Sequence, residues 1–175
     1  MAITRAPMPF LDEHYRLSPN VELRVFAPFE AAQAGVICAG MDPWARYRST
    51  PSELAAFLSQ SEPGSPRFAI RVNERLEGAV VLKTNWLAGP YIQLLALAPI
   101  VQGQNVGSLV MDFVETQARK AGARNLWVAA SDFNAGALRF YERHGFVQVA
   151  EIDGLLRNDR NEMLLRKKLF TVGLS

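Results

Sequence analysis

The run Leu94-Leu95-Ala96-Leu97-Ala98 constrains this chain more than any other stretch. It follows Tyr91 and Ile92 and shows no polar alternation, so both faces of the strand it forms must be covered, which places that strand at a sheet centre. Pro99 and Ile100-Val101 end the run. The chain then passes through Gln102-Gly103-Gln104-Asn105-Val106-Gly107-Ser108 into a helical pattern. Leu109, Val110, Phe113, Val114 and Ala118 share one helical face, and Asp112, Glu115 and Arg119 lie off it. Arg119 and Lys120 suit a helix C-terminus, and Gly122 ends it. Leu126-Trp127-Val128-Ala129-Ala130 is a second buried strand. A strand, helix and strand at this spacing predict a parallel pair with a right-handed crossover.

The flanking segments read differently. Met1–Asn20 carries three prolines and is expected to be a loosely held, irregular arm, with one domain over residues 21–170. Val21–Phe26 alternates apolar and charged residues, as a half-buried strand does. Glu30–Ala39 suits a helix. Thr50-Pro51-Ser52-Glu53 opens another, with Thr50 as N-cap, proline at the first helical position and Glu53 closing a capping box. Arg67–Val72 and Gly78–Lys83 flank Asn73–Glu77 and predict a β-hairpin with a longer loop; Asn85–Pro90 is a second turn region. After the second buried strand come a turn ending at Asn134, a short helix over Ala135–His144 stopped by Gly145, and strands over Phe146–Glu151 and Met163–Leu169, expected to be antiparallel. The expected architecture is α/β (α+β): a mixed, mostly antiparallel sheet with a central parallel βαβ unit and helices on both faces.

Composition excludes several classes. With 175 residues, 49% hydrophobic and 21% charged, the chain has room for one well-buried core. A net charge of +2 gives no nucleic-acid footprint, and Arg166-Lys167-Lys168 is expected at a solvated strand edge or tail. No stretch approaches the roughly 20 apolar residues of a membrane span. Cys38 is the single cysteine; its apolar setting predicts a buried structural thiol. The N-terminus lacks the apolar core of a signal peptide, so a cytoplasmic location is expected.

Two constellations carry chemistry. In the loop Gln102–Ser108, glycines at 103 and 107 leave the backbone approachable, and Asn105 tolerates left-handed geometry. The N–H groups from about Gly103 to Ser108 can converge on an anion at a helix N-terminus, and the Ser108 hydroxyl can add a bond. A plain strand-to-helix turn would have the same appearance. The second constellation is Asn134, Ala137, Tyr141, Gly145 and Phe146. Ala137 and Tyr141 share a helical face, leaving a groove with a phenol at its end. A phenol so placed can protonate a leaving group, or simply belong to the core.

Order and separation of these two stretches resemble the GNAT-type N-acetyltransferases. The family's acetyl-CoA motif, an apolar strand followed by V-x-P and Q/R-x-x-G-x-G/A, reads here as Leu97-Ala98-Pro99 and Gln102-Gly103-Gln104-Asn105-Val106-Gly107. Its N-x-x-A-x-x-x-Y-x-x-x-G-F motif is met in full. The chain departs from the family at Asn105, where glycine is usual, and at Ala129, where some ribosomal-protein members carry a glutamate base.

The resemblance implies acetyl-CoA as co-substrate, no metal, and direct transfer to an amine of a small molecule or peptide. Its alternative is an acyl-CoA-binding module without catalysis. It further implies that Leu95, Ala96 and Leu97 hold the pantetheine arm, that Gln102, Gly103, Gln104, Asn105, Val106, Gly107 and Ser108 hold the pyrophosphate, and that Asn134, Ala137 and Tyr141 line the coenzyme, Tyr141 protonating the thiolate. The general base is not evident. Glu162 is a candidate, although a solvated charge at a strand end is the preferred reading of it, and Glu30 and Asp42 are weaker candidates. Gln93 stands where a carboxylate would be useful. His14 and His144 are expected to be peripheral. The acceptor pocket is expected from Gly35–Ser61 and Asp153–Asn161. A C-terminal edge strand would offer a homodimer contact.

Overall fold

The computed structural model describes residues 9–170. Eight strands form one sheet: β1 (His14–Arg16), β2 (Val21–Val25), β3 (Arg67–Val72), β4 (Arg75–Trp86), β5 (Gly89–Leu97), β6 (Asn125–Ser131), β7 (Val147–Asp153) and β8 (Asn161–Lys168). Their spatial order is β1-β2-β3-β4-β5-β6-β8-β7. Every neighbouring pair is antiparallel except β5 and β6, which are parallel. Helices α1 (Glu30–Ala39) and α2 (Pro51–Leu58) cover one face, and α3 (Val106–Lys120) and α4 (Ala135–Arg143) the other. The mixed sheet, the parallel pair and the helices on both faces are those expected from the sequence.

Each face has its own apolar layer. Ala31, Ala34, Cys38, Leu54 and Leu58 pack on Ala79, Val81, Leu94 and Ala96. Val106, Val110, Met111, Val114 and Ala118 pack on Val80, Leu82, Ile92, Leu126 and Val128. Helices α1 and α2 cross closely because residue 35 is glycine: a Cβ there would sit 2.4 Å from the Pro51 carbonyl oxygen. The capping box at Thr50 forms, with the Glu53 N–H donating to Thr50 Oγ1 at 3.2 Å and the Thr50 N–H to Glu53 Oε2 at 2.8 Å.

The register of β4 on β5 contains the feature that opens the site. Val81 faces Leu94, but its neighbour Leu82 faces Ile92, so Gln93 is an extra, bulged residue. The bulge resets the strand's alternation. Ile92 belongs to the α3 layer, whereas Leu94, two residues on, belongs to the α1–α2 layer. Beyond it β5 leaves β6: the parallel ladder spans only Tyr91–Trp127 and Ile92–Val128. The other end of the pair is tied. Ala88 O accepts from the N–H groups of Arg124 and Asn125 at 3.0 and 3.3 Å, and Leu87 O from Trp127 Nε1 at 3.0 Å. The two strands therefore form a wedge, closed near Gly89 and open past Ile92.

Several expectations need correction. Residues 14–16 form a strand on β2, and Phe10 and Tyr15 pack on Phe113, so this part of the arm is held by the fold; residues 1–8 lie outside the described residues. The β3–β4 connection is a two-residue turn, Asn73-Glu74, with both residues at positive φ. The same holds for Leu87-Ala88 between β4 and β5. Paired left-handed residues match strand twist in tight hairpins, and without glycine they gave no sequence signal. The last strand, β8, lies between β6 and β7 and has no free edge. Within 166–168, Arg166 stacks over Trp127, and the ammonium of Lys167 pairs with Glu115.

Candidate functional site

A cavity of about 770 Å³ fills the open end of the wedge. One wall is the β5 segment Leu95–Leu97. The Ala98 N–H donates to Glu77 O across the sheet at 2.7 Å, so by strand alternation the N–H groups of Leu97 and Leu95 face away from β4, toward the gap. Gln102 Nε2 donates to Leu97 O at 2.8 Å and fixes the loop against the strand.

The loop after Pro99 supplies the cavity's end. Gly103 has φ +74° and Asn105 φ +65°, so the asparagine adopts the left-handed geometry expected of it. Consecutive N–H groups from Gly103 to Ser108 donate to no carbonyl or side chain among the described residues. They lie at the N-terminus of α3, where unpaired N–H groups suit an anion such as a pyrophosphate. Gly103 and Asn105 line the cavity, Gln104 turns its side chain back to Ile100 O at 2.6 Å, and Val106 is buried in the core. Gly107 serves packing too. A Cβ there would lie 3.1 Å from the Phe140 ring, so this glycine makes room for helix packing as well as lining the cavity.

Helix α4 forms the opposite wall. Asn134 Oδ1 accepts from the Ala137 N–H at 3.2 Å, so the residue caps its helix, and its amide nitrogen carries no hydrogen bond among the described residues. Ala137 and Tyr141 line the cavity one turn apart. Tyr141 is 6% exposed, and its hydroxyl has no hydrogen-bond partner among the described residues. Burial, with the neighbouring Tyr91, pushes its phenol well above the ordinary tyrosine value. His144 is not peripheral. Its Nδ1 lies 2.8 Å from Phe140 O and its Nε2 3.1 Å from Ser108 Oγ. The carbonyl requires a donor at Nδ1, so in the neutral ring Nε2 accepts from the Ser108 hydroxyl. Only the spacing of His144 from Tyr141 could have flagged it.

Of the two sequence readings of Glu162, the solvated charge is overturned. It is 4% exposed, so it is no solvated strand-end charge. Its Oε1 accepts from the Tyr47 hydroxyl at 2.5 Å and from Ser131 Oγ at 2.7 Å, and Oε2 takes no hydrogen bond from a described residue. Ser131 ends β6 at the open side of the wedge and sits opposite Glu162 on β8. Burial, then the bond to Glu162, raises Tyr47 to about 12, and Glu162 also bears electrostatically on Tyr91. Of the other base candidates, Glu30 is tied to Arg71 at the far side of the sheet, and Asp42 pairs with Arg46 at 3.0 Å on the cavity rim. Gln93 is exposed, and His14 pairs with Glu22 at 2.9 Å, remote from the wedge. Among the described residues no cluster of three metal-binding side chains occurs, and no helix is long and apolar enough to cross a membrane.

Comparison with known proteins bears on this geometry. The acetyltransferase (GNAT) family matches residues 29–146. Acetyltransferase Atu2258 of Agrobacterium fabrum is 29% identical over 133 residues, which span 74% of this chain and 89% of that protein. The Escherichia coli ribosomal-protein-S18-alanine N-acetyltransferase superposes with a TM-score of 0.69 at 16% identity, over 89% of this chain and 97% of its own. A GNAT family acetyltransferase from Elizabethkingia anophelis, solved with acetyl-CoA bound, superposes with a TM-score of 0.63 at 15% identity, over 86% of this chain and 99% of its own. At these identities the two structures speak to the fold alone.

Proposed function

The chain belongs to the GNAT acetyltransferase family, and on that footing we propose that it transfers the acetyl group of acetyl-CoA directly to a primary amine of a small molecule or peptide. The observation that carries this reading is the wedge itself: a splayed strand pair, an unpaired row of N–H groups at one end, and a buried phenol facing them across the cavity.

Acetyl-CoA, when bound, supplies the activated acyl group. The N–H groups of Gly103 to Ser108 hold its phosphates, and Leu95–Leu97 offer the edge of β5 to the pantetheine amides. The Leu97 N–H, turned into the gap, stabilises the negative charge that develops on the thioester oxygen as the amine attacks. Tyr141 gives its proton to the departing sulfur; its raised pKa keeps that proton in place at neutral pH. Glu162 receives the proton of the amine at Oε2, while Tyr47 and Ser131 hold Oε1 and fix the carboxylate. Positioning of the two reactants contributes as much as these proton transfers.

Acetyl-CoA-dependent thiol release against an amine panel, with coenzyme binding measured by calorimetry alongside, tests the assignment. Release with one amine class is the expected result. Tight binding with no release across the panel would favour a non-catalytic acyl-CoA-binding module, which Tyr141 and Glu162 argue against. Absence of coenzyme binding would overturn the site.

A further inference from the structure

A second cavity, of about 180 Å³, lies between the turn that follows α1, the loop between β6 and α4, and the loop between β7 and β8. Arg46, Tyr47, Phe133, Arg157, Asp159 and Arg160 line it. Half of these are guanidinium groups, and two of them share one aromatic ring: Arg46 Cζ lies 4.6 Å and Arg160 Cζ 5.6 Å from the Phe133 centroid. A guanidinium held against a ring keeps a fixed plane and leaves its N–H fork available at the edge. Arg46 is paired with Asp42 and Arg157 with Asp159 at 3.4 Å, but Arg160 forms no ion pair among the described residues. Asp132 is exposed beside Phe133 and forms none with it. The inner wall is Tyr47, whose ring meets Phe133 edge-on at 5.5 Å and whose hydroxyl is bonded to Glu162. The cavity thus has a free, planar cation at its mouth and a carboxylate behind its floor.

We propose that this cavity seats the acceptor, and that the acceptor is a small primary amine bearing a carboxylate, of amino-acid type. The inference rests on the acetyl-transfer reading above. The carboxylate takes the Arg160 fork, with Arg46 alongside, and the amine points inward past Tyr47, whose hydroxyl is bonded to Glu162. A volume of about 180 Å³ accommodates an amino acid. The covalent balance is that of the proposed reaction: the amine N–C bond forms, the thioester C–S bond breaks, the amine proton passes to Glu162 and the Tyr141 proton to sulfur.

The test measures acetyl-CoA-dependent thiol release with a series of amino acids, each beside its own carboxamide. Because the carboxamide's amine is the weaker base, more of it is neutral at a given pH, and any bias runs against the expected result. The expected kcat/KM favours the carboxylates by about tenfold or more, the size of one charge-assisted pairing. Arg160→Gln is expected to erase that preference through KM, and Arg46→Gln to reduce it. Equal turnover of acids and carboxamides would overturn this inference and leave the acetyl-transfer reading standing. So would a carboxylate preference that survives both substitutions. Coenzyme binding without release from any amine would overturn the reaction itself, and this assignment with it.

Discussion

Tyr141 and Glu162 are the two side chains asked to move protons, and each can be tested without dismantling the fold. The Tyr141 hydroxyl has no protein hydrogen bond to lose among the described residues, so Tyr141→Phe is expected to lower kcat by about 100-fold with coenzyme affinity nearly unchanged. An unaltered kcat, with chemistry shown to limit turnover, would remove the leaving-group role. Glu162→Gln keeps an oxygen for Tyr47 and Ser131 but cannot take a proton. It is expected to cost about 100-fold in kcat/KM near neutral pH, the deficit shrinking as rising pH supplies neutral amine. A deficit that is flat with pH would make Glu162 a structural residue. Tyr141 was legible because its helix carries its own pattern: an N-cap, a small residue one turn before the phenol, and a glycine stop. Glu162 was not legible as a buried group. Its partners Tyr47 and Ser131 lie 115 and 31 residues away in the chain, and no local spacing encodes such a meeting.

At the scale of elements, the wedge and the loop it opens onto are the parts to perturb. Gly89 sits where β5 and β6 are tied together, and a Cβ there would lie 1.8 Å from Asn125 O. Gly89→Ala is therefore expected to destabilise the protein by about 2 kcal/mol, read from denaturant midpoints, and to weaken coenzyme binding with it. The loop admits a cleaner comparison. Gly103 has φ +74° and open space around its missing Cβ, and both Asn and Asp tolerate that backbone. Gly103→Asp is expected to raise the coenzyme Kd about tenfold more than Gly103→Asn does, since only the former sets a carboxylate against the phosphates. Equal affinities would place the phosphates elsewhere. The βαβ unit was readable because an uninterrupted apolar run and a 3.6-residue period are strong signals. The insertion of β8 between β6 and β7 was not, because a strand's place in a sheet depends on partners that its own sequence does not name. The bulge at Gln93 was equally hidden: it shows only as a change in which neighbours are buried with Ile92 and with Leu94.

Across the whole molecule, burial keeps several acids protonated. The Cys38 thiol is fully buried, and burial raises it from 9.0 to about 12; Tyr47 rises from 10.0 to about 12, and Tyr91 and Tyr141 rise also. On unfolding, these groups recover ordinary values, and above about pH 9 they release protons. Their contribution to stability is therefore complete below about pH 9 and falls as pH climbs through about 12. Denaturant midpoints are expected to drop steadily from pH 9 upward, and iodoacetamide to modify Cys38 at pH 8 only when denaturant is present. Alkylation of the native protein at the rate of a free thiol would contradict the buried assignment. The sheet order has one more consequence, for synthesis on the ribosome. Ser131 and Glu162 meet only when β8 has slid between β6 and β7, so a nascent chain released through α4 can form β5, α3 and α4 around the wedge and yet lack the Glu162 cluster. Of the described strands, the last to emerge is the one that brings Glu162 to Ser131, and until it docks, the edge of β6 remains open to any other strand that reaches it.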